Sequence, residues 1–473
     1  MDEMTNETPR PANPRRRKRT KMQIFKDTYL PLVIAGAALL CIAVFIIGAI
    51  SRGVQRSQAE REASVKASES LAAQQEQQAA EANSLLSRAA AQAAGFDYQG
   101  AIATIDSFSG NIADYPDLEA RRAEYASKQA SMIPWTNPSD VVNLSFQMLV
   151  ADSTRAYEDD TYGDAYNRNF VTTTEFQKIL QQLYANGYIL VDLEDIITTE
   201  TDANGQTTYV AKTLYLPEGK KPLMITQANV NYDNYMIDGD DDGVADKDGA
   251  GFASRLLVDA NGSVTAEMVD ASGNTIQGAY DLVPILDAFI AEHPYFSYGG
   301  AKAILALSGH EGLFGYRTTG AVKSADEAKY NEAVQGATAV ANALRASGYT
   351  LAYYTYYNET LSGIQLAAVQ TDLKLYQNEI VPILGNLNIL VCPKNSDLET
   401  YSGDIFNALM EGGFRYYLGY YDQAIANVQL PGSYVRQGRI SVTGYNISKN
   451  ADLFKDIFDP TTVLDSNRPE FSE

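Results

Sequence analysis

The segment DGDDDGVADKDG, residues 238–249, has the spacing of a cation-binding loop. Alternating carboxylates with a glycine at the sixth place are typical of calcium loops, in which the seventh residue binds through its carbonyl. The twelfth residue is Gly249 and not the bidentate Glu of an EF-hand, so the pattern predicts a looser Ca²⁺ site, with a solvated acidic turn as the alternative. The candidate ligands are four carboxylates and one backbone carbonyl: Asp238, Asp240, Asp242, Asp246 and Val244.

His310 and Glu311 stand side by side in SGHEG, directly after an apolar run. A histidine and a carboxylate can serve as an acid/base pair, but hydrogen-bond geometry is the first requirement, and neighbours in sequence usually point apart. A loop residue packed by the following LFGYR is therefore the favoured interpretation, and both remain weak catalytic candidates.

The N-terminus predicts a membrane anchor. A basic cluster between Arg15 and Lys26 precedes a run from Thr28 to Ser51 without formal charge. That run contains the roughly 20 apolar residues needed to cross a hydrocarbon core, which is long for the alternative, a cleaved signal peptide. The positive-inside bias keeps residues 1–27 cytoplasmic and places everything after the transmembrane helix, residues 28–51, outside the cell.

The remainder of the chain is strongly acidic. The net charge of the protein is −22, and residues 1–27 hold eight Lys and Arg against four Asp and Glu, which leaves −26 for the rest. Such a surface argues against nucleic acid as a partner, because phosphates need basic grooves. Cys41 lies in the membrane run and Cys392 in a strand-like run, so the outer part is predicted to fold without a disulfide.

Four further segments follow the anchor. Residues 52–94 are rich in helix formers but lack a heptad seam, which favours a single stalk helix over a coiled-coil dimer. Two more helical patterns, around GFDYQGAIATIDSF and DLEARRAEYASKQA, complete a stalk and hairpin over residues 52–131. Residues 132–140, with two prolines, read as a linker to a main domain, 141–473, in which 237–280 form an Asp-rich loop and hairpin insertion.

Within the main domain, short apolar runs alternate with helical patterns that end at Gly or Pro. This alternation predicts an α/β fold with a mostly parallel sheet, and about seven repeats favour a barrel. The predicted strands are Val142–Val150, Ile189–Val191, Leu223–Thr226, Ala303–Leu307, Leu351–Tyr354, Ile389–Val391 and Tyr416–Leu418.

Several stretches together resemble the polysaccharide deacetylase family, in particular its membrane-anchored bacterial branch. They include FVTTTEFQKILQQLYANGYILVDLEDI, YLPEGKKPLMIT, HPYFSYGGAKAILALSGHEGLFGYRT, EGGFRYYLGY and YVRQGRISVTGYNI, in the family's order over roughly residues 141–460. The resemblance implies a distorted (β/α) barrel and metal-dependent hydrolysis of acetyl groups on a polysaccharide. In that chemistry an aspartate pair supplies a base and a metal ligand, and two histidines at i and i+4 complete the ligand set.

In this sequence the resemblance places Ala228 and Asn229 at the aspartate pair, and Tyr354 and Asn358 at the two histidines. A methyl group replaces the base, and neutral groups replace the ligands. Amides bind Zn²⁺ or Co²⁺ poorly beside imidazole and carboxylate, so we expect neither ion and a degenerate site.

The resemblance also places two tyrosine-rich stretches, AYYTYYN and FRYYLGYYD, at the cleft. Tyrosine rings can stack on sugars, which makes Tyr354, Tyr356 and Tyr357 candidate substrate-binding residues, but the same rings could instead fill the space that a metal site vacated. Arg317, a further candidate substrate-binding residue, and Asp397, a weak catalytic candidate, are expected as polar groups near the rim.

The sequence thus predicts a membrane-anchored, deacetylase-like barrel that is catalytically inactive and binds cell-envelope polysaccharide or peptidoglycan, or scaffolds a partner there. The alternatives are an active metal-dependent deacetylase with a rearranged site and a structural spacer without a ligand.

Overall fold

The structure is a computed structural model that describes residues 21–158, 162–236, 251–394, 396–420 and 428–471. It divides into two units, Met1–Asn83 and Ser84–Glu473. A short α-helix, Lys21–Ile24, and a π-helical turn, Phe25–Tyr29, precede the long helix Leu30–Ala94. The apolar part of this helix is exposed, and the helix is long and apolar enough to cross a membrane.

The second unit contains a helical hairpin of Tyr98–Asp106 and Pro116–Ala130, joined through the 3₁₀ turn Ile112–Asp114. Asp97 caps the first of these helices by accepting a hydrogen bond from the Gly100 N–H at 2.8 Å. The rings of Tyr98 and Tyr125 stack at 6.2 Å between the two helices.

In the described part of the chain, seven parallel strands close into a barrel, each pairing with the next and the last with the first. The predicted (β/α) barrel is therefore confirmed. In chain order the strands are β1 (Val142–Phe146), β2 (Lys221–Gln227), β3 (Ile304–Leu307), β4 (Thr350–Tyr353), β5 (Ile389–Val391), β6 (Tyr416–Tyr420) and β7 (Val435–Ser441).

Three seams of the barrel are short, and in one of them β7 meets β1 only at Ile440 and Ser441. Strands β4 and β5 pair through Tyr353 and Leu390 alone, and β2 meets β3 only at Thr226 and Gln227. The first half of β2 pairs instead with the strand Tyr188–Leu190, which was among the predicted strands but lies outside the closed ring.

Helices connect the strands and cover the barrel. Phe146 of β1 packs edge-on against Phe176 at 5.0 Å, which joins the barrel to the covering layer. The α-helices of the barrel are Ser153–Glu158, Gly163–Asn169, Thr173–Ala185, Leu193–Ile196, Leu282–Glu292, Gly320–Ala325, Glu327–Ala346, Leu366–Leu375, Val381–Leu384, Gly403–Glu411, Gly444–Lys449 and Pro460–Val463. Shorter 3₁₀ and π turns are Pro138–Asp140, Asn234–Met236, Pro294–Phe296, Tyr376–Ile380 and Ala451–Leu453.

The sequence at the N-terminus of the helix Thr173–Ala185 determines where this helix begins. Thr172 and Glu175 form a capping box, in which the Thr172 N–H donates to Glu175 at 2.8 Å and the Glu175 N–H donates to the Thr172 hydroxyl at 3.1 Å. The same carboxylate pairs with Arg468 at 2.6 Å, and both side chains are almost fully buried. One residue therefore both begins a helix and fastens the C-terminal segment to the barrel.

Small antiparallel sheets form in the segments outside the barrel strands. The predicted hairpin after the Asp-rich loop is present and gains a third strand, in the order Thr275–Gly278, Val264–Val269, Arg255–Val258. Further pairs are Ile197–Thr201 with Thr207–Ala211 and Ile133–Trp135 with Leu214–Leu216, and Val428–Gln429 pairs with β7.

Arg439, on β7, is 1 % exposed and lies among the barrel strands. Its guanidinium donates to the Ser145 hydroxyl of β1 at 2.7 Å, to the Cys392 carbonyl after β5 at 2.8 Å, and to the Leu418 and Gly419 carbonyls of β6 at 3.2 Å. Burial lowers the pKa of Arg439, although an arginine remains protonated at physiological pH. One side chain therefore joins four of the seven strands.

We predict that Arg439→Leu lowers the free energy of unfolding by about 2–4 kcal/mol, because it leaves buried hydrogen-bond acceptors without their charged donor. Urea denaturation of the full chain in detergent micelles, followed by circular dichroism, measures this. Arg121→Leu is the control, since the Arg121 side chain is 56 % exposed and its ion pair with Glu124 is screened by solvent, so its removal should change stability little. Equal losses in the two variants would contradict a structural role for Arg439.

Candidate functional site

A cavity of about 380 Å³ lies at the carboxyl ends of the barrel strands, and we call it the mouth cavity. A side wall comes from residues 162–170 and from Tyr235 and Met236. The lining residues that follow barrel strands are Gln147 after β1, Asn229 after β2, Tyr354 and Asn358 after β4, Lys394 after β5 and Thr443 after β7. Because the loops after five strands contribute, this is the position at which (β/α) barrels place their ligands.

Of the four residues that the resemblance places at the aspartate pair and the two histidines, Asn229, Tyr354 and Asn358 are brought together in this cavity. The fourth, Ala228, is 1 % exposed and does not line it, and its N–H continues the strand by donating to the Phe146 carbonyl at 2.8 Å. The loops after β2 and β4 thus bring these three side chains to one cavity.

Both polar atoms of the Asn229 amide make hydrogen bonds. Its Nδ2 donates to Asp233 Oδ2 at 2.8 Å, and its Oδ1 accepts from the Ser308 hydroxyl at 3.2 Å. Asn231, two residues on, donates to the Ser308 and Gly312 carbonyls, which ties the loop after β2 to the loop after β3. These bonds hold Asn229 in place without any ligand.

Tyr354 and Asn358 differ in how their polar atoms are satisfied. The Tyr354 hydroxyl accepts a hydrogen bond from the Lys394 N–H at 3.0 Å, and burial raises the pKa of Tyr354, so the phenol is neutral. Asn358 Oδ1 is buried and has no hydrogen-bond partner within the described residues. An unsatisfied buried acceptor costs about 1–3 kcal/mol, so Asn358 is the lining residue with most to gain from a ligand donor.

The backbone of the two loops that carry these residues is strained. Asn229 and Tyr232 after β2, and Thr355 and Asn358 after β4, all have positive φ, between 55° and 56°. A residue other than glycine in this region of positive φ costs roughly 1–3 kcal/mol of folding free energy. Such residues persist where the surrounding structure imposes the conformation, often at functional sites. Asparagine tolerates this region better than most residues, which fits its use at two of the four positions.

The donor set does not fit a catalytic metal. Two amides and a neutral phenol stand where carboxylate and imidazole would be needed for Zn²⁺ or Co²⁺. Across the ranges that the structure describes, no group of three or more His, Cys, Asp and Glu side chains could hold a metal ion. We therefore derive no hydrolytic step through a metal at this cavity.

Asp233 was not found by sequence reasoning. It is 9 % exposed, its Oδ1 has no partner among the described residues, and burial together with Glu311 raises its pKa, while the Asn229 hydrogen bond opposes the shift. The signal that could have found it is a lone carboxylate four residues after Asn229, in a loop otherwise made of Asn, Tyr and Val.

Glu311 and Arg317 brace the loop after β2. Glu311 accepts a hydrogen bond from the Asn234 N–H at 2.5 Å, and Arg317 donates to the Tyr232 carbonyl at 2.9 Å. The two side chains lie 3.8 Å apart, and His310 packs edge-on against Tyr357 at 5.7 Å. None of His310, Glu311 and Arg317 is among the described residues that line the mouth cavity.

The remaining candidates also lie outside the cavity lining. Tyr356 is 4 % exposed, and its hydroxyl donates to Glu379 at 2.5 Å, whereas Tyr357 is 48 % exposed on the surface. Asp397 accepts hydrogen bonds from the Tyr401 hydroxyl at 2.7 Å and from the Leu398 N–H at 2.8 Å, and pairs with Arg436. Of the three predicted sugar-binding tyrosines, Tyr354 is the one that the structure places in the cavity.

The predicted calcium ligands, Asp238, Asp240, Asp242, Val244 and Asp246, lie outside the described residues.

No protein-family model matches the chain, and no curated protein matches it. Among solved structures, the chain is similar to the deacetylase PplD of Streptococcus pyogenes in complex with acetate. The identity is 13 %, the TM-score is 0.36, and the match covers 69 % of this chain and 99 % of that one. A likeness of this size carries no argument about the site.

We predict that Asn229→Asp makes stability depend on pH. Two buried carboxyls, at positions 229 and 233, would share one proton, so the pKa of the pair would be higher in the folded than in the unfolded state. The folded chain would then bind more protons, and stability would fall as pH rises, by roughly 2 kcal/mol between pH 5 and pH 8 relative to the unchanged protein.

Urea denaturation at the two pH values checks this, with Asn331→Asp as the control, because Asn331 is exposed on a helix. A pH-independent effect of Asn229→Asp would show that residue 229 does not face the Asp233 carboxyl.

Proposed function

We propose that this protein is a deacetylase-like barrel without the catalytic metal site, and that it binds an envelope glycan at the mouth cavity without hydrolysing it. The supporting observation is that Asn229, Tyr354 and Asn358 line one cavity at the carboxyl ends of the strands while offering no metal-binding donor set. The cavity is thus kept as a ligand site, and its chemistry is that of hydrogen bonding.

The lining supports a neutral, hydroxyl-rich ligand. Amides and phenols dominate it, and Lys394 is the one formally charged residue among the described lining residues. Cavities of about 300–1,000 Å³ hold small ligands, and 380 Å³ lies at the lower end of that range. An N-acetylated sugar would present an N–H and hydroxyl groups to the unsatisfied Asn358 Oδ1.

The helix Leu30–Ala94 supports the membrane as a second partner. In this proposal its apolar part, residues 30–51, spans the membrane once, the basic residues before it stay in the cytoplasm, and the barrel lies outside the cell. Cell-surface polysaccharide or peptidoglycan would then be within reach of the mouth cavity. The same position of the barrel outside the cell would also allow it to act as a scaffold for an envelope partner.

An active esterase with a rearranged site is the second candidate function, and Asp233 is the observation that favours it. A buried carboxyl with a raised pKa and a free oxygen is what a general acid or base requires, and it lies beside the mouth cavity through its bond to Asn229. It would act by protonating or deprotonating a water or leaving group.

We predict that the full chain in detergent micelles binds N-acetylglucosamine tetramer and that Asn358→Gly weakens this binding about three- to tenfold, by removing one hydrogen bond. Glycine keeps the positive φ of residue 358, so the loop itself should be unchanged. Isothermal titration calorimetry measures the affinity, with Tyr357→Ala as the control, because Tyr357 is the preceding residue and does not line the cavity.

Absence of binding to both the tetramer and insoluble peptidoglycan would contradict the glycan proposal. Release of acetate from the tetramer, abolished by Asp233→Asn, would establish the esterase instead.

We retain calcium binding by the Asp-rich loop as a separate proposal, with Ca²⁺ ordering an insertion and taking no part in chemistry. Extracellular calcium modules typically bind at about 10⁻⁴ to 10⁻³ M. The melting temperature should therefore rise in millimolar Ca²⁺ relative to EDTA, since a ligand that binds only the folded state stabilises it. The double change Asp240→Asn and Asp242→Asn should abolish the rise. Identical melting curves for the unchanged protein in Ca²⁺ and in EDTA would contradict calcium binding and favour the alternative, a solvated acidic turn.

A further inference from the structure

A second cavity, of about 640 Å³, lies between the helical hairpin and the barrel, and we call it the hairpin cavity. The hairpin contributes residues 96–99, Gln129 and Met132, and the barrel contributes Asp195, Tyr215, Tyr298 and Gly299. It shares no lining residue with the mouth cavity. All of its residues belong to the unit Ser84–Glu473.

Two glycines fix the distance between its walls. The Gly299 N–H donates to the Gly95 carbonyl at 2.7 Å, and a Cβ on Gly95 would lie 3.1 Å from the Gly299 nitrogen. This close backbone approach fastens the hairpin to the barrel. The two walls of the hairpin cavity are therefore built into the fold and do not depend on a ligand to form.

The walls are aromatic. Phe96, which is buried and has a φ of 64°, stacks on Tyr298 at 6.3 Å with an interplanar angle of 13°. Tyr215 is 51 % exposed, although it is a large ring on a short paired strand. Two more exposed apolar side chains, Ile133 and Tyr295, lie on neighbouring segments. Among the described lining residues, Tyr215 is thus an exposed ring whose face is open to a ligand.

Two carboxylates accompany the rings. Asp97 accepts from the Gly100 N–H at 2.8 Å, and Asp195 accepts from the Asp192 N–H at 2.8 Å, so each is held in place and retains acceptor capacity. After burial, these two carboxylates are the causes that raise the pKa of Tyr298 to about 12, which places both near its hydroxyl. That hydroxyl makes no hydrogen bond within the described chain.

No Lys, Arg or His is among the described residues that line this cavity. Lys212 acts electrostatically on Asp195, but its ammonium donates to the Glu194 carbonyl at 2.8 Å. A cavity with two carboxylates, aromatic faces and no cation of its own is complementary to a cationic ligand, because both the carboxylates and the ring faces attract positive charge.

We propose that the hairpin cavity binds a glycan whose sugar units carry a free amino group. A pyranose ring would stack on Tyr215 or Tyr298, its ammonium would pair with Asp97 and Asp195, and the amides of Gln99 and Gln129 would bond to its hydroxyl groups. A bare ammonium ion is far smaller than 640 Å³, and the amides favour a hydroxyl-rich sugar over a lysine side chain.

The test uses the full chain in detergent micelles and isothermal titration calorimetry with glucosamine tetramer. We expect binding of this tetramer, and about tenfold weaker binding for Asp195→Asn, which keeps the acceptor for the Asp192 N–H but removes the charge. Tyr215→Ala should weaken binding about fivefold through loss of stacking and of the cation–π contact. The matched control is Tyr357→Ala, because Tyr357 is 48 % exposed and lies outside the cavity.

The mouth cavity provides a second control. Asn358→Gly should leave the affinity for glucosamine tetramer unchanged, and Asp195→Asn should leave any affinity for N-acetylglucosamine tetramer unchanged. Failure of one proposal is therefore separable from failure of the other.

Three results would overturn the proposal. The first is absence of glucosamine tetramer binding. The second is that the Asp195→Asn and Tyr215→Ala variants bind the tetramer with the affinity of the unchanged protein. The third is tighter binding of tetralysine than of glucosamine tetramer, with the same sensitivity to Asp195→Asn. The last would assign the cavity to a basic peptide.

Discussion

The guanidinium of Arg439 is the interaction on which the barrel mouth depends. A seven-stranded parallel barrel needs continuous pairing around its circumference, and here three seams pair through only one or two residues. Arg439, on β7, donates to its two neighbouring strands, β1 and β6, and reaches past β6 to the carbonyl at the end of β5. It therefore reinforces the short seam between β7 and β1 and adds one connection beyond the neighbouring strands. The loops that form the mouth cavity leave from these strand ends, and their positions follow from that connection.

The mouth cavity couples an asparagine to a buried carboxylate. Asn229 donates a hydrogen bond to Oδ2 of its neighbour Asp233. Most buried polar groups have hydrogen-bond partners, so this donor lowers the free-energy cost of burying the Asp233 carboxyl. Asn229 and the burial of Asp233 are thus parts of one electrostatic arrangement.

Much of the fold could be predicted because the barrel strands are short apolar runs. Six of the predicted runs coincide with β1 to β6, but β7 was not predicted as a strand, because Arg436, Gln437 and Arg439 interrupt its apolar pattern. Gln437 and Arg439 make buried hydrogen bonds to other barrel strands, whereas Arg436 is 20 % exposed and pairs with Asp397. An interior arginine cannot be told from a surface one by spacing. The strand Tyr188–Leu190 was predicted correctly as a strand, but its position outside the ring depends on long-range pairing.

The candidate site was less predictable, for a similar reason. That Asn229, Tyr354 and Asn358 meet was foreseeable from their places after strands, whereas the separate directions of Tyr354, Tyr356 and Tyr357 depend on local backbone angles. Asp233 stands out in the sequence as a lone carboxylate in its loop, but its burial and its bond to Asn229 depend on the fold.

The forked pairing of β2 gives the barrel a taper. At the amino ends of the strands, Tyr188–Leu190 stands between β2 and the residues that precede β3, through its bridge to Ser297, and the circumference holds eight segments. At the carboxyl ends β2 meets β3 directly, and the circumference there holds seven strands. Because barrel diameter grows with strand number, the lumen narrows towards the mouth. A bound sugar would therefore rest on the rim, where loop sequence alone can change its specificity while the strands below stay constant.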